Sequence, residues 1–165
     1  MPRQPFPSLP DSARLWVFAA SRPLAIHERD ALLTAVDAFL DEWHAHRVPL
    51  DCACELRYDQ FLLVGVDQEA AGVSGCSVDS LVRTMKGLGQ ELGVELVDHA
   101  SVFYRVEDAV RRVSRDAFAE AAASGSVTPA SIVFDNTVQS VASVRNGTWE
   151  APASSTWHAR AFFDA

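Results

Sequence analysis

Residues 50–66 read LDCACELRYDQFLLVGV, and this stretch decides the fold. Leu50, Cys52, Cys54, Leu56 and Tyr58 fall on one face of an extended chain, with Asp51, Glu55, Arg57 and Asp59 on the other, because successive side chains of a strand point to opposite sides. Asp59 and Gln60 supply a turn, and Phe61 to Val66 follows as a nearly unbroken apolar run, the pattern of a strand covered on both faces. The two runs predict an antiparallel hairpin with its register set by the alternation.

Working outward, Leu15, Trp16, Val17 and Phe18 predict a first buried strand beginning at Arg14. Ile26, Leu32, Leu33, Val36, Phe39, Leu40 and Trp43 recur at spacings of three and four, which predicts an amphipathic helix of about five turns. Pro49 blocks its continuation. Beyond the hairpin, Val78, Leu81, Val82, Met85, Leu88 and Leu92 restore helical spacing, with Ser77 as the expected N-cap and Gly93 as the stop. Val94 to Val97, Val102 to Val106 or both are expected to form the next strand. Strand, helix, strand, strand, helix, strand is the order of an α+β, ferredoxin-like split unit, with both helices on one face of a four-stranded antiparallel sheet.

The remainder frames this core. Residues 1–13 carry four prolines without periodicity and are expected to be a flexible leader, leaving residues 14–165 as one domain with a core over 14–106 and an extension over 107–165. In the extension, Ser114 and Gly125 bound a short alanine-rich helix, Ile132 to Phe134 reads as a strand, and Asn146-Gly147 as a hairpin turn. The aromatic tail, Trp157, His158, Phe162 and Phe163, is expected to dock on the domain or on a second copy, so these four residues are the candidate partner contacts.

Composition narrows the function classes. In 165 residues, 14 basic side chains face 22 acidic ones for a net charge of −8, which disfavours nucleic acid and anionic membrane surfaces as partners. No apolar run approaches the roughly 20 residues of a membrane helix, and the proline-rich start lacks the apolar core of a signal peptide. Three cysteines fit a reduced, cytoplasmic chain better than a disulfide framework. Cys52 and Cys54 share the core face of one strand, and no second ligand pair stands at zinc spacing, so neither a structural metal nor a cofactor is expected. Gly87, Gly89 and Gly93 have the wrong spacing for a dinucleotide turn, Lys86 is the only lysine, and no phosphate-binding loop motif occurs; a P-loop ATPase is excluded.

One segment carries chemistry. Ser74, Gly75, Cys76, Ser77 and Asp79 lie where a strand passes into a helix, and unpaired amides with the positive end of a helix dipole favour an anion or a thiolate there. Equally, Ser77 and Asp79 satisfy a helix start, Gly75 permits a bend and Cys76 packs as a small apolar residue. In the split topology the end of the first helix, with Trp43 and His46, lies at the same edge, and Arg14 at the start of the first strand is expected nearby. Cys76 and His46 are thus the candidate nucleophile and base, although a histidine at a helix C-terminus also has a plain role against the dipole.

With these residues in view, residues 14–163 resemble a family of small uncharacterised bacterial proteins, common in Bacteroidetes, that often carry the label "ABC transporter ATPase" without nucleotide-binding motifs. The likeness rests on Arg22-Pro23-Leu24, on Phe39, Trp43 and His46, on Arg57-Tyr58 before Phe61, and on the run from Ser74 to Asp79. It continues in Ile132-Val133-Phe134 with Asn136, in Trp149 with Pro152, and in Trp157-His158. The resemblance implies a shared fold and a shared site. Ala25 departs from it, standing where the family tends to have a capping Ser or Thr. The run from Ser114 to Phe134 is also similar to small GYF-like adaptor modules, which bind peptides or partner proteins.

No complete catalytic constellation appears, so the first expectation is a non-enzymatic binding or regulatory module acting through a protein partner or self-association. The alternative is a site for a small molecule or anion at Ser74 to Asp79, with Cys76 as thiolate, His46 as base and Arg14 as counter-charge.

Overall fold

β1 (Arg14–Ala19), α1 (Ile26–Glu42), β2 (His44–Ala45), β3 (Val48–Pro49), β4 (Cys52–Arg57), β5 (Phe61–Val66) and α2 (Gly75–Leu92) follow one another in a computed structural model that describes residues 4–69 and 72–164. After them come β6 (Val102–Val106), β7 (Ala109–Val113), α3 (Arg115–Ser124), β8 (Ile132–Phe134) and β9 (Glu150–Pro152). The protein is therefore an α+β chain. No helix among the described residues is long and apolar enough to cross a membrane.

Two compact units replace the expected core and extension. One holds the described residues up to Asp98 together with Gln139–Ala142, and the other holds His99–Val138 with the described residues from Ser143 on. In the first, the expected hairpin β4–β5 forms, with Leu56 opposite Leu62 and Cys52 opposite Val66, and β1 pairs antiparallel on the other side of β5. Tyr58 and Asp59 close the turn at positive φ, with the Gln60 amide donating to the Arg57 carbonyl.

The alternation then sorts the two faces. Cys52, Leu62, Val64 and Val66 turn toward α1 and α2, where Leu32, Val36, Leu40, Leu81 and Met85 close a buried core. The opposite face is covered by the segment expected to be a flexible leader. Phe6 opens a short 3-10 turn, Phe6–Ser8, whose spacing of three puts Leu9 beside it, and Phe6, Leu9 and Ala13 are all buried. Gly65 makes room for them, since a Cβ there would stand 2.5 Å from Leu9 Cδ1. Prolines end regular hydrogen bonding, but two apolar side chains three residues apart are enough to dock the strand's far face.

The four-stranded split unit is not what forms. The first sheet has three strands in the order β1-β5-β4, and among the described residues the free edge of β1 meets a single bridge, Arg14 to Ser140. Val94 to Val97 is not a strand. Gly93, at φ 71°, ends α2 and turns the chain back on the helix, so that the Val94 amide donates to the Gly89 carbonyl. Gly89 is what lets the returning chain pass so close: a Cβ there would lie 2.7 Å from the Val94 carbonyl oxygen.

Val102–Val106 is a strand, but of the other unit, whose sheet runs β7-β6-β8-β9. Here Ser114 and Gly125 cap α3 as the sequence predicts. The Asn146-Gly147 turn, by contrast, follows the short helix Val141–Arg145 rather than joining two strands. Phe118, fully buried on α3, is the centre of this unit's core, with Tyr104 at 5.3 Å and Phe162 at 4.9 Å between ring centroids.

Candidate functional site

Trp43 organises the one place where the sequence expectations converge. It closes α1 as the C-cap, is buried, and packs edge-on against Trp16 at 5.9 Å and tilted against Phe39 at 5.7 Å. Its indole Nε1–H donates to the Ser77 carbonyl at 2.9 Å, which ties the end of α1 to the first turn of α2. Between these two helix ends opens a cleft of about 450 Å³, within the range of small-ligand pockets.

The α2 side of the cleft is a capped helix start. Ser74, not Ser77, is the N-cap: its Oγ accepts from the Ser77 amide at 3.1 Å. Ser77 is the reciprocal partner, its Oγ accepting from the Ser74 amide at 2.8 Å. The cap thereby occupies the Ser77 amide, while Gly75 and Cys76 bring the other first-turn N–H groups, which have no partner inside a helix. Cys76 is exposed and lines the cleft with Ser74, Ser77 and Ser80.

The α1 side is not helical beyond Glu42, contrary to the expectation of His46 at a helix C-terminus. Instead β2 and β3 form a minimal hairpin, His44 opposite Pro49 and Ala45 opposite Val48. Its turn is His46-Arg47, with φ of 51° and 67°. Both are non-glycine residues in the left-handed region, the geometry of a tight two-residue hairpin turn. The turn projects His46 and Arg47 onto the cleft, where Glu42 and His44 also stand, over an apolar wall of Phe39 and Trp43.

The structure thus brings Trp43, His46, Ser74, Cys76 and Ser77 together and leaves out three of the expected residues. Gly75 contributes backbone only, and Asp79 is exposed and not part of the cleft lining. Arg14 is separated from the cleft by a ring: its guanidinium lies 4.9 Å over Trp16, which in turn packs on Trp43. Sequence reasoning missed Phe39, Glu42, Arg47 and Ser80 as cleft residues. Helical spacing held the signal for two of them, since Phe39 is one turn before Trp43 and Ser80 one turn after Cys76.

The other cysteines are packing groups. Cys52 is buried with its Sγ 3.7 Å from the Leu40 carbonyl, and the Cys54 Sγ lies 3.6 Å from Asp37 Oδ1. The aromatic tail docks within its own unit: His158 is fully buried, and Phe162 and Phe163 pack on Phe118. Trp157 stacks on His158 at 3.9 Å and carries the Arg115 guanidinium 4.9 Å over its ring. These residues, expected as partner contacts, have their contacts in this chain.

No family model, curated protein or solved structure matches the chain.

Proposed function

We propose that the protein binds a small anion-bearing molecule in the cleft between the end of α1 and the start of α2. The observation that carries this reading is the convergence of the His46-Arg47 turn and the α2 first turn, with Cys76 exposed between them, on one cleft of about 450 Å³. Arg47 supplies a permanent positive charge, the first-turn amides supply donors aimed along the helix dipole, and Phe39 with Trp43 supplies an apolar wall. The first expectation, a partner-binding module, rested on the lack of a complete catalytic constellation and on the aromatic tail; of these the tail has Phe162 and Phe163 packed on Phe118 in this chain.

Cys76 reports on the site. Inorganic phosphate, titrated into the full chain at constant ionic strength, is expected to slow iodoacetamide modification of Cys76, with buried Cys52 as the internal control. Arg47→Gln is expected to remove that protection while leaving the unliganded rate of modification in place. Modification of Cys76 at the same rate at every phosphate concentration would sink the reading.

A further inference from the structure

The cleft carries both signs of charge. Glu42 and Arg47 line it together, and neither side chain has an ion-pair partner among the described residues, the other included. The backbone repeats the pattern: the cleft lies between the C-terminal end of α1, the negative pole of its dipole, and the N-terminal end of α2, the positive pole. Neither pole is offset by a charged side chain of its own end turn, although the His44 Nδ1, 2.8 Å from the Glu42 carbonyl oxygen, and the Ser74 cap on the Ser77 amide each engage one backbone group there. The last turn of α1 has no basic residue and ends on Asp41 and Glu42, a placement that the dipole opposes, and the first turn of α2 has no acidic residue.

An anion alone answers only half of this arrangement, because it would bring negative charge toward Glu42 as well as toward Arg47. A ligand with a carboxylate and an ammonium on one small frame answers both. Its carboxylate lies toward Arg47 and the α2 amides, its ammonium lies toward Glu42 and the α1 carbonyl end, and an apolar substituent covers Phe39 and Trp43. We infer that the cleft takes an apolar zwitterion of the α-amino-acid class, an inference that rests on the small-ligand reading above and adds Glu42 as the residue that selects for the amine.

The test is isothermal titration of the full chain with three probes that share one ring: L-phenylalanine, 3-phenylpropionate, which lacks the amine, and phenethylamine, which lacks the carboxylate. L-phenylalanine is expected to bind at least about tenfold more tightly than either, the size of one well-placed charge contact. Glu42→Gln is expected to weaken L-phenylalanine, which loses the partner of its ammonium, and to tighten 3-phenylpropionate, whose carboxylate loses a like charge beside it, so that the two affinities converge. Arg47→Gln is expected to weaken both. Equal binding of L-phenylalanine and 3-phenylpropionate, or indifference of L-phenylalanine to Glu42→Gln, overturns the zwitterion assignment and leaves an anion cleft standing. If none of the three binds while phosphate still protects Cys76, the assignment falls alone; if phosphate also fails, both readings fall.

Discussion

The Trp43 indole reaches 2.9 Å across to the Ser77 carbonyl, so one hydrogen bond holds together the two helix ends that form the cleft. Trp43 is buried and shares its ring contacts with Trp16 and Phe39, so the bond is made in a dry setting where it is worth more than at the surface. Trp43→Phe keeps an aromatic ring and removes the donor. It is expected to cost about 1–3 kcal/mol, combining the lost bond with the smaller ring, as read from urea unfolding. It is also expected to speed native modification of Cys76, because the start of α2 is no longer tied down. A variant with unchanged stability and unchanged Cys76 reactivity would mean that the two helix ends are held by other contacts.

The N-terminal segment makes a sharper claim, because a flexible leader has nothing to lose. Leu9 is 2% exposed and lies over Gly65. Leu9→Ala is expected to destabilise the protein by about 2–5 kcal/mol, the usual range for truncating a buried leucine. Pro10→Ala in the same segment, a residue only partly buried, serves as the comparison and should cost far less. Equal and negligible effects would show that the covering of β5 by this segment adds nothing to stability.

How much of this was legible in sequence depends on the range of the force involved. The β4–β5 hairpin, the helices over Ile26–Glu42 and Gly75–Leu92, and the stop at Gly93 are written in periodicity and caps, which act within a few residues. The strand Val102–Val106 is equally legible as a strand, but its sheet is not, because alternation names a face and never a neighbour. The hairpin that carries Arg47 was hidden for another reason. Its turn uses His46 and Arg47 at positive φ where the usual signal would be Asn-Gly, so the sequence shows two exposed polar residues before a proline and nothing more. Cys76, Ser74, Trp43 and His46 were placed together because the β1-α1-β4-β5-α2 topology holds, even though the fourth strand of the expected sheet does not form.

The start of α1 offers a stabilising change. Ala25 already has N-cap geometry, φ −70° and ψ 163°, but its side chain makes no capping bond. Glu28 supplies half of a cap: its carboxylate accepts from the Ala25 amide at 2.9 Å and forms two bonds with Arg22 at 2.8 and 2.7 Å. The Arg22 guanidinium, helped by the Ala25 amide, lowers the Glu28 pKa from 4.5 to about 2. Ala25→Ser adds the missing acceptor for the first-turn amides and is expected to raise stability by about 1 kcal/mol, seen as a higher urea midpoint with an unchanged slope. A neutral or destabilising result would indicate that the Glu28 half-cap already saturates this helix start.

The buried histidine of the other unit sets a pH dependence of known sign. His158 lies among Trp157, Phe118 and Phe162, its Nδ1 is 2.7 Å from Thr156 Oγ1, and its Nε2 has no hydrogen-bond partner among the described residues. Burial penalises the charged ring and lowers its pKa from 6.5 to about 4, the pull of Asp135 being too weak to offset it. The unfolded chain therefore takes up a proton as pH falls through 6.5, while the folded protein refuses it until about pH 4. Stability is fully present above pH 6.5 and is lost between pH 6.5 and pH 4, by about 3 kcal/mol if the whole shift is expressed. Glu28 acts lower on the scale, its contribution falling away from pH 4.5 down to about pH 2, so the window from 6.5 to 4.5 separates the histidine from Glu28. Urea midpoints measured across that window are expected to drop for the natural chain and to stay nearly level for His158→Phe, which keeps a ring among the aromatic neighbours and cannot titrate. An equal drop in both proteins would assign the loss to other groups and remove His158 as its cause.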